Sequence, residues 1–278
     1  MLKIRSPRLN DWKRVVDAKL NPKKKVSIAV VGKYIDLKDS YKSLNEALDH
    51  AGIINLAEVE INMIDAAKIT KANVAKILKS YQAILIPGGF GSRGIEGMIN
   101  ACKYARENKL PYFGICLGMQ IAIIEFSRNV LNLKNANSTE FNKKTKYPVI
   151  GLVTEWKDAS GKTEHRTENS NLGGTMRLGG QKCLIKKSSH SYKLYKKLTI
   201  TERHRHRYEV NPEYKKELVS KGMDIVGTSL DGNLAEMIEI KKHPWFIGCQ
   251  FHPEFTSNPR DGHPIFNDFI AKAIKIKR

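Results

Sequence analysis

Apolar and polar positions fall into two periods along this chain of 278 residues. Val26-Ser27-Ile28-Ala29-Val30-Val31-Gly32 is a short, β-branched apolar run of the kind that buried parallel strands show. Leu44, Ala47, Leu48 and Ala51 then recur at helical spacing, with Ser40 placed to cap the helix. The pattern goes on to predict a strand at 59–64, a helix over 72–78 and a strand at 83–86, then a helix over 95–108 and a strand at 111–115. Strands and helices alternating at this spacing predict a doubly wound α/β fold, its sheet mostly parallel and flanked by helices.

The second half changes character. A polar Lys/Asn-rich loop at 134–148 precedes strand-like runs at 151–156, 183–185, 200–210, 224–228, 235–240 and 245–251, which read as additional strands. A final helix over 264–274 leads into a basic tail. Residues 157–180 are polar and charged, with hinge candidates at Gly161, Gly173-Gly174 and Gly179-Gly180, and read as a lid or binding loop. Residues 1–24 are basic and polar, carry Pro7 and Pro22, and lack a clean period. They read as a linker or arm, with residues 25–278 as one domain. No internal repeat is visible.

Composition narrows the class. With 41% hydrophobic and 27% charged residues, the chain has ordinary globular composition and can bury a sizeable core. No apolar run approaches the ~20 residues of a membrane span, and no apolar stretch follows the charges of Met1-Leu2-Lys3-Ile4-Arg5, so neither an integral membrane protein nor a secretory signal is expected. Four cysteines without close pairing argue against a disulfide scaffold and for a reducing, cytoplasmic setting. The balance of 48 basic against 28 acidic residues gives +20. That excess suits a nucleic-acid binder, a protein that attracts acidic small molecules, or a lysine-rich solvated surface. The basic residues are spread along the chain and not interleaved with aromatics, so the solvated surface is favoured and nucleic acid is not an expected partner.

The strongest local signal is Gly114-Ile115-Cys116-Leu117-Gly118, between an apolar run and the stripe Leu117, Ile121, Ile124. This is the spacing of a strand–nucleophile–helix elbow with cysteine in the serine position. A helix N-terminus there favours thiolate, and its backbone N–H groups can hold an oxyanion. The competing reading is a small buried residue at a tight turn. Cys102, Cys183 and Cys249 lie in apolar runs and read as core; without a C-x-x-C, no metal site is expected. A cysteine nucleophile needs a base and an orienter. His252-Pro253-Glu254 directly follows the run 245–251, and residues two apart at a strand end point the same way, so Glu254 can orient His252. His50, His165, His190, His243 and His263 read as satisfied surface or core residues. His204 and His206 share a face with Glu202, a weak metal pattern that three neighbouring arginines oppose. Pro87-Gly88-Gly89-Phe90-Gly91 reads equally as an ordinary turn or as backbone that approaches a ligand; no P-loop string is present.

The elbow cysteine, the His-Pro-Glu and the upstream Pro-Gly-Gly together resemble the class I (triad) glutamine amidotransferases. Longer strings are similar to the glutaminase half of the CTP synthases, from about residue 8 to the end. They are Gly32-Lys33-Tyr34, Asp39-Ser40-Tyr41-Lys42-Ser43, Pro87-Gly88-Gly89-Phe90-Gly91-Ser92-Arg93-Gly94, Gly114-Ile115-Cys116-Leu117-Gly118-Met119-Gln120 and Asn137-Ser138-Thr139-Glu140-Phe141. Further on come Gly173-Gly174-Thr175-Met176-Arg177-Leu178-Gly179, residues 203–211 and Phe251-His252-Pro253-Glu254-Phe255.

The resemblance implies a class I amidotransferase-like fold that hydrolyses L-glutamine with Cys116, His252 and Glu254 as catalytic residues. It implies glutamine binding by Gly89, Phe90, Leu117, Gly118, Met119, Gln120, Glu140 and Arg207, with the N–H groups of Gly89 and Leu117 at the oxyanion. It implies no cofactor in this chain: ATP and Mg belong to a synthetase domain that aminates UTP to CTP and is not present here. GTP is implied as an allosteric effector acting at the 157–180 lid, and the full enzyme as a homo-oligomer. Residues 1–24 become the tether to the synthetase half. The alternatives are another triad amidotransferase subunit, a free-standing γ-glutamyl hydrolase, or a catalytically silent basic nucleic-acid-binding module.

Overall fold

The computed structural model describes residues 9–34, 38–152, 155–157, 163–165 and 176–277. Its strands are β1 (Lys24–Gly32), β2 (Ala57–Asp65), β3 (Ala83–Ile86), β4 (Tyr112–Ile115), β5 (Asn137–Ser138), β6 (Pro148–Leu152) and β7 (Glu155–Lys157). They continue with β8 (Thr163–His165), β9 (Arg177–Ile185), β10 (Thr199–His206), β11 (Tyr208–Val210), β12 (Met223–Ser229), β13 (Ala235–Ile240) and β14 (Phe246–Cys249). The helices are α1 (Asn10–Leu20), α2 (Lys42–Asn55), α3 (Val74–Leu78), α4 (Ile95–Glu107), α5 (Leu117–Asn129), α6 (His190–Tyr195), α7 (Lys215–Ser220) and α8 (Pro264–Ala273).

One sheet of nine strands carries the fold, in the order β10-β9-β12-β13-β14-β4-β3-β1-β2. Strands β14, β4, β3, β1 and β2 run parallel, and β13, β12, β9 and β10 extend the sheet antiparallel. The doubly wound parallel half with added strands is therefore the observed architecture. Period-two alternation sorts each buried strand between two cores. Ile28 and Val30 of β1, Leu85 of β3 and Phe113 of β4 pack with α2 and α8. Ala29, Val31, Ile84 and Tyr112 point the other way and pack with α4 and α5. Burial on both faces explains why these strands read as near-continuous apolar runs. No helix among the described residues is long and apolar enough to cross a membrane.

Three sequence expectations change. Residues 10–20 of the segment read as an unpatterned arm form α1. Only Val15 and Ala18 of it are buried, packed with Ile53, while Trp12, Val16 and Leu20 face outward, so its apolar residues are split between two faces and no single stripe is legible. Residues 177–180, read as the end of the lid, begin β9 and pair with 203–206 of β10. The remaining lid residues lie outside the described residues, apart from Met176 and the backbone of Lys157 at the end of β7 and of β8. The run 200–210 is two strands: β10 stays in the main sheet, and after Arg207 the chain crosses to pair β11 with β6 in a smaller one.

Candidate active site

The carboxyl ends of β3, β4 and β14 lie side by side, because Ile86 and Gly248 both pair with Gly114. Ligands of open parallel sheets bind at this edge. Residue 116 is the first beyond β4. Its N–H donates to the Cys249 carbonyl at 2.7 Å, and its φ of 52° and ψ of −100° lie in a region that non-glycine residues rarely occupy. Flanking glycines make this turn possible. A Cβ on Gly118 would lie 2.1 Å from the Ile86 carbonyl oxygen, and one on Gly114 would lie 2.6 Å from the Gly118 carbonyl. Helix α5 thus starts in direct backbone contact with the sheet, and its leading N–H groups have no partner within the helix.

His252 follows β14. Its N–H donates to the Arg203 carbonyl at 2.8 Å, and its imidazole Nδ1 lies 2.8 Å from Glu254 Oε1. The pairing does not arise from an extended strand end, as the i, i+2 argument supposed. Pro253–Thr256 is a 3-10 turn, and the turn folds Glu254 back toward His252. Thr256 anchors that turn by donating to Glu202, whose carboxylate also meets His263 and Tyr195. Burial disfavours the imidazolium of His252, but the Cys116 sulfur and then Glu254 outweigh it and raise its pKa to about 10.

The folded-state value lies above the ordinary ~6.5. Stability from this arrangement is therefore fully present below about pH 6.5 and is lost as pH rises through about 10. Glu254→Gln removes one support, so the alkaline loss of thermal stability is expected to begin at lower pH than in the wild type. Melting curves over roughly pH 6 to 11 check this; coincident curves would contradict it.

Gly88 and Gly89 close the site from the β3 end. A Cβ on Gly88 would lie 2.7 Å from His252 Cε1 and 3.6 Å from Cys116 Cβ, and one on Gly89 would lie 3.3 Å from Leu117 Cδ2. This favours close backbone approach over an ordinary turn for the Pro-Gly-Gly string. A cavity of about 420 Å³ opens here, lined by Gly89, Phe90, Cys116, His252 and Glu254 together with Tyr34 and Arg205. Leu117, Gly118, Met119 and Gln120 are buried behind it. Met119 packs over Gly248, and the Gln120 amide donates to the Tyr208 carbonyl at 3.0 Å and to Gln250 at 3.3 Å. Glu140 and Arg207 are outside the cavity lining but face each other electrostatically. Glu140 accepts the Gly91 N–H at 2.8 Å; burial raises its pKa, opposed by that N–H, by Lys33 and by Arg207.

Sequence reasoning gave no role to two residues. Gln250 donates toward Cys116 Sγ at 3.6 Å, and its own N–H goes to the Glu236 carbonyl. Lys33 is buried, donates to the carbonyls of Phe90 and Gly91, and lies 5.6 Å from the Phe141 ring centre. Burial lowers its pKa to about 8, against the pull of Glu140. Lys33 was legible only as part of Gly32-Lys33-Tyr34, and Gln250 only as the penultimate residue of an apolar run.

The histidines read as satisfied have partners where they are described. His50 meets Ser257, His190 meets Asp268, His243 meets Trp245 and Ala105, and His263 caps α8. The side chain of His165 lies outside the described residues. His204 and His206 bond each other at 2.9 Å beside Arg177, which is salt-bridged to Glu209 at 2.6 Å and Glu236 at 2.8 Å. Among the described residues no cluster of three or more His, Cys, Asp or Glu has the form of a metal site.

A strained cysteine turn at the edge of a doubly wound sheet thus lies beside a His–Glu pair, an arrangement of the residue types that cysteine nucleophile chemistry uses. A family model described as glutamine amidotransferase class-I matches residues 36–272, and the chain belongs to that family. Among solved structures it is similar to the CTPS glutaminase domain of Trypanosoma brucei with bound acivicin, at 36% identity and a TM-score of 0.80, covering 91% of this chain and 95% of that one. A Thermotoga maritima glutamine amidotransferase matches at 10% identity and a TM-score of 0.47, covering 90% of this chain and 96% of that one. One from Methylobacillus flagellatus matches at 10% and 0.48, covering 83% and 70%.

Proposed function

We propose that this chain is the glutaminase part of a CTP synthase. It hydrolyses L-glutamine to glutamate and ammonia, and the ammonia aminates UTP on a synthetase domain. The observation that carries the proposal is Cys116, held in a strained elbow and facing a His252 that Glu254 orients at 2.8 Å. The 36% identity to the trypanosomal CTPS domain supports the substrate class.

The steps follow from the charges. With its pKa raised to about 10, His252 keeps its proton at neutral pH opposite the Cys116 sulfur. The thiolate attacks the side-chain carbonyl carbon of glutamine, and the oxyanion is held by the N–H groups of Gly89 and Leu117. His252 gives its proton to the departing nitrogen, ammonia leaves, and a glutamyl thioester remains. Thioester formation removes the negative sulfur that had supported the imidazolium. The now neutral His252, still held by Glu254, takes a proton from water, and hydroxide attacks the thioester. Glutamate leaves and the thiolate returns. Glu140 and Arg207 are assigned to the charged α-amino and α-carboxylate end of glutamine, with Phe90 as an apolar wall. Gln120, Gly118 and Met119 support the pocket from behind. ATP and Mg act on the synthetase domain, GTP is the effector, and the whole enzyme is a homo-oligomer.

A diazo-ketone analogue of glutamine tests the reading. Mass spectrometry is expected to find one adduct, on Cys116, blocked by glutamine and not by a γ-glutamyl peptide. Labelling spread over Cys102, Cys183 and Cys249 would contradict it, and protection by the peptide alone would point to a γ-glutamyl hydrolase. A second expected result is that Glu254→Gln slows glutamine turnover about a hundred- to ten-thousand-fold, because the imidazole loses its orienter. It is also expected to shift the alkaline limb of the pH–rate profile downward, away from the wild-type value near 10.

A further inference from the structure

A second cavity, of about 890 Å³, lies between α4, α5 and the loop at 134–146, and shares no lining residue with the Cys116 cavity. Lys71, Lys103, Arg128, Lys134, Lys144 and Lys146 all line it. Six cations among fourteen lining residues is well above the 48 among 278 of the whole chain, so the site exceeds the general basic excess. Glu96 is the single carboxylate in the lining, and Arg128 already engages both of its oxygens at 2.9 and 3.0 Å. Arg128 is fixed a second time through the Ala136 carbonyl at 2.7 Å, and Lys103 is held by Asn129 at 3.2 Å and by Glu107, outside the lining, at 3.8 Å. Two cationic side chains are thus set in place on rigid helices, while exposed lysines of the loop rim the opening.

We propose that this cavity binds a small polyphosphate-bearing molecule of the nucleoside triphosphate class, recognised mainly through its phosphates. Lysines that line a concave site raise the positive potential met by a compact polyanion. Of these, Lys71, Lys134 and Lys144 are exposed cations with no carboxylate partner among the described residues. The volume falls within the ~300–1,000 Å³ of small-molecule sites. Of the five asparagines in the lining, Asn129 is paired at both ends, and Asn137 and Asn142 accept the Ser138 and Lys144 N–H groups. Asn100, Asn135 and the amide N–H groups of Asn137 and Asn142 can therefore meet a sugar or base. The lining holds no aromatic side chain, so it lacks the stacking platform that single-stranded nucleic acid uses. Asn137 and Asn142 of the lining bracket Glu140 in the chain, and Glu140 accepts the Gly91 N–H, so ligand here meets the same segment that reaches Gly91.

Calorimetric titration of the whole chain with inorganic triphosphate and with ATP, at roughly 0.15 M salt, tests the proposal. Saturable binding is expected, weakened about tenfold or more in Lys134→Ala/Lys144→Ala. It is expected to be unchanged in Arg205→Ala, which alters the Cys116 cavity, and in Lys193→Ala/Lys197→Ala on α6 and just beyond it. Both altered lysines of the test variant are exposed, so its fold is expected to hold, which circular dichroism checks. The proposal fails if binding does not saturate by about 1 mM, if Arg205→Ala abolishes it, or if the α6 pair weakens it as much as the loop pair. Tighter binding of an oligonucleotide than of ATP, lost in the same loop variant, would also overturn it and make the surface a nucleic-acid site. The readout is binding alone, so glutaminase activity does not enter.

Discussion

Cys116→Ala is expected to lower glutamine hydrolysis by about ten-thousand-fold or more, the scale on which removal of a nucleophile from a concerted site is felt. Its thermal stability is expected to fall at neutral pH, because the Cys116 sulfur is the largest support of the raised His252 pKa, and to approach that of the wild type as pH rises toward 10. The other costs are small. Alanine inherits the same positive φ, so the backbone cost at residue 116 is unchanged. Only one sulfur atom is lost from a small buried side chain, a cost of about 1 kcal/mol. Gln250 loses a weak sulfur acceptor but keeps its contact with Gln120. The His252 ring loses the negative partner that most supports its proton, so it is expected to titrate well below 10 in this variant. Steady-state ammonia release, a melting curve and the histidine NMR titration read the three effects. Full retention of hydrolysis would remove Cys116 from the mechanism.

Gly118→Ala is expected to act through the fold. Helix propensity alone favours alanine by about 1 kcal/mol. The new Cβ would lie 2.1 Å from the Ile86 carbonyl oxygen and 3.2 Å from the Ile86 Cβ, and neither belongs to a flexible side-chain end that can swing away. Helix α5 would have to lift from β3, so a net loss of about 3 kcal/mol or more is expected, with a fall in melting temperature of roughly 6–12 °C. Gly151→Ala is the control: its Cβ would meet nothing within 4 Å, and a change within about 0.5 kcal/mol is expected. Equal melting temperatures for the two variants would mean that α5 does not rest on the sheet as described.

The parallel half of the sheet was legible because its strands are buried on both faces and its helices carry one apolar stripe each. Cys116 was legible for a related reason: the elbow compresses strand, turn and helix start into five residues, and the two glycines are demanded by contacts as short as 2.1 Å. His252 and Glu254 were found as a pair, but for a geometry that does not hold. Adjacency in sequence brought them together whichever backbone joined them. Helix α1 was missed because its few apolar residues serve two faces. Arg177 was misplaced because a strand beginning in charged and glycine residues has no apolar period, and its partners Glu209 and Glu236 are 32 and 59 residues away.

By itself the sequence determined what local rules can determine: a doubly wound sheet, a strained cysteine turn, and a histidine with its carboxylate two residues on. Each depends on neighbours within about a dozen positions, where periodicity and turn chemistry operate. The tertiary structure alone decided which side chains become buried partners across the sheet. Burial of Lys33 under the 88–91 loop, the Gln120–Gln250 link behind Cys116, and the basic cavity between α4, α5 and the 134–146 loop all join residues far apart in the chain. The first two arise only when β1, β3, β4 and β14 lie in register and bring the residues that follow them to one edge, and the third only when α4, α5 and the 134–146 loop pack together. Their energies come from desolvation and close charge pairing, which no local window of sequence contains.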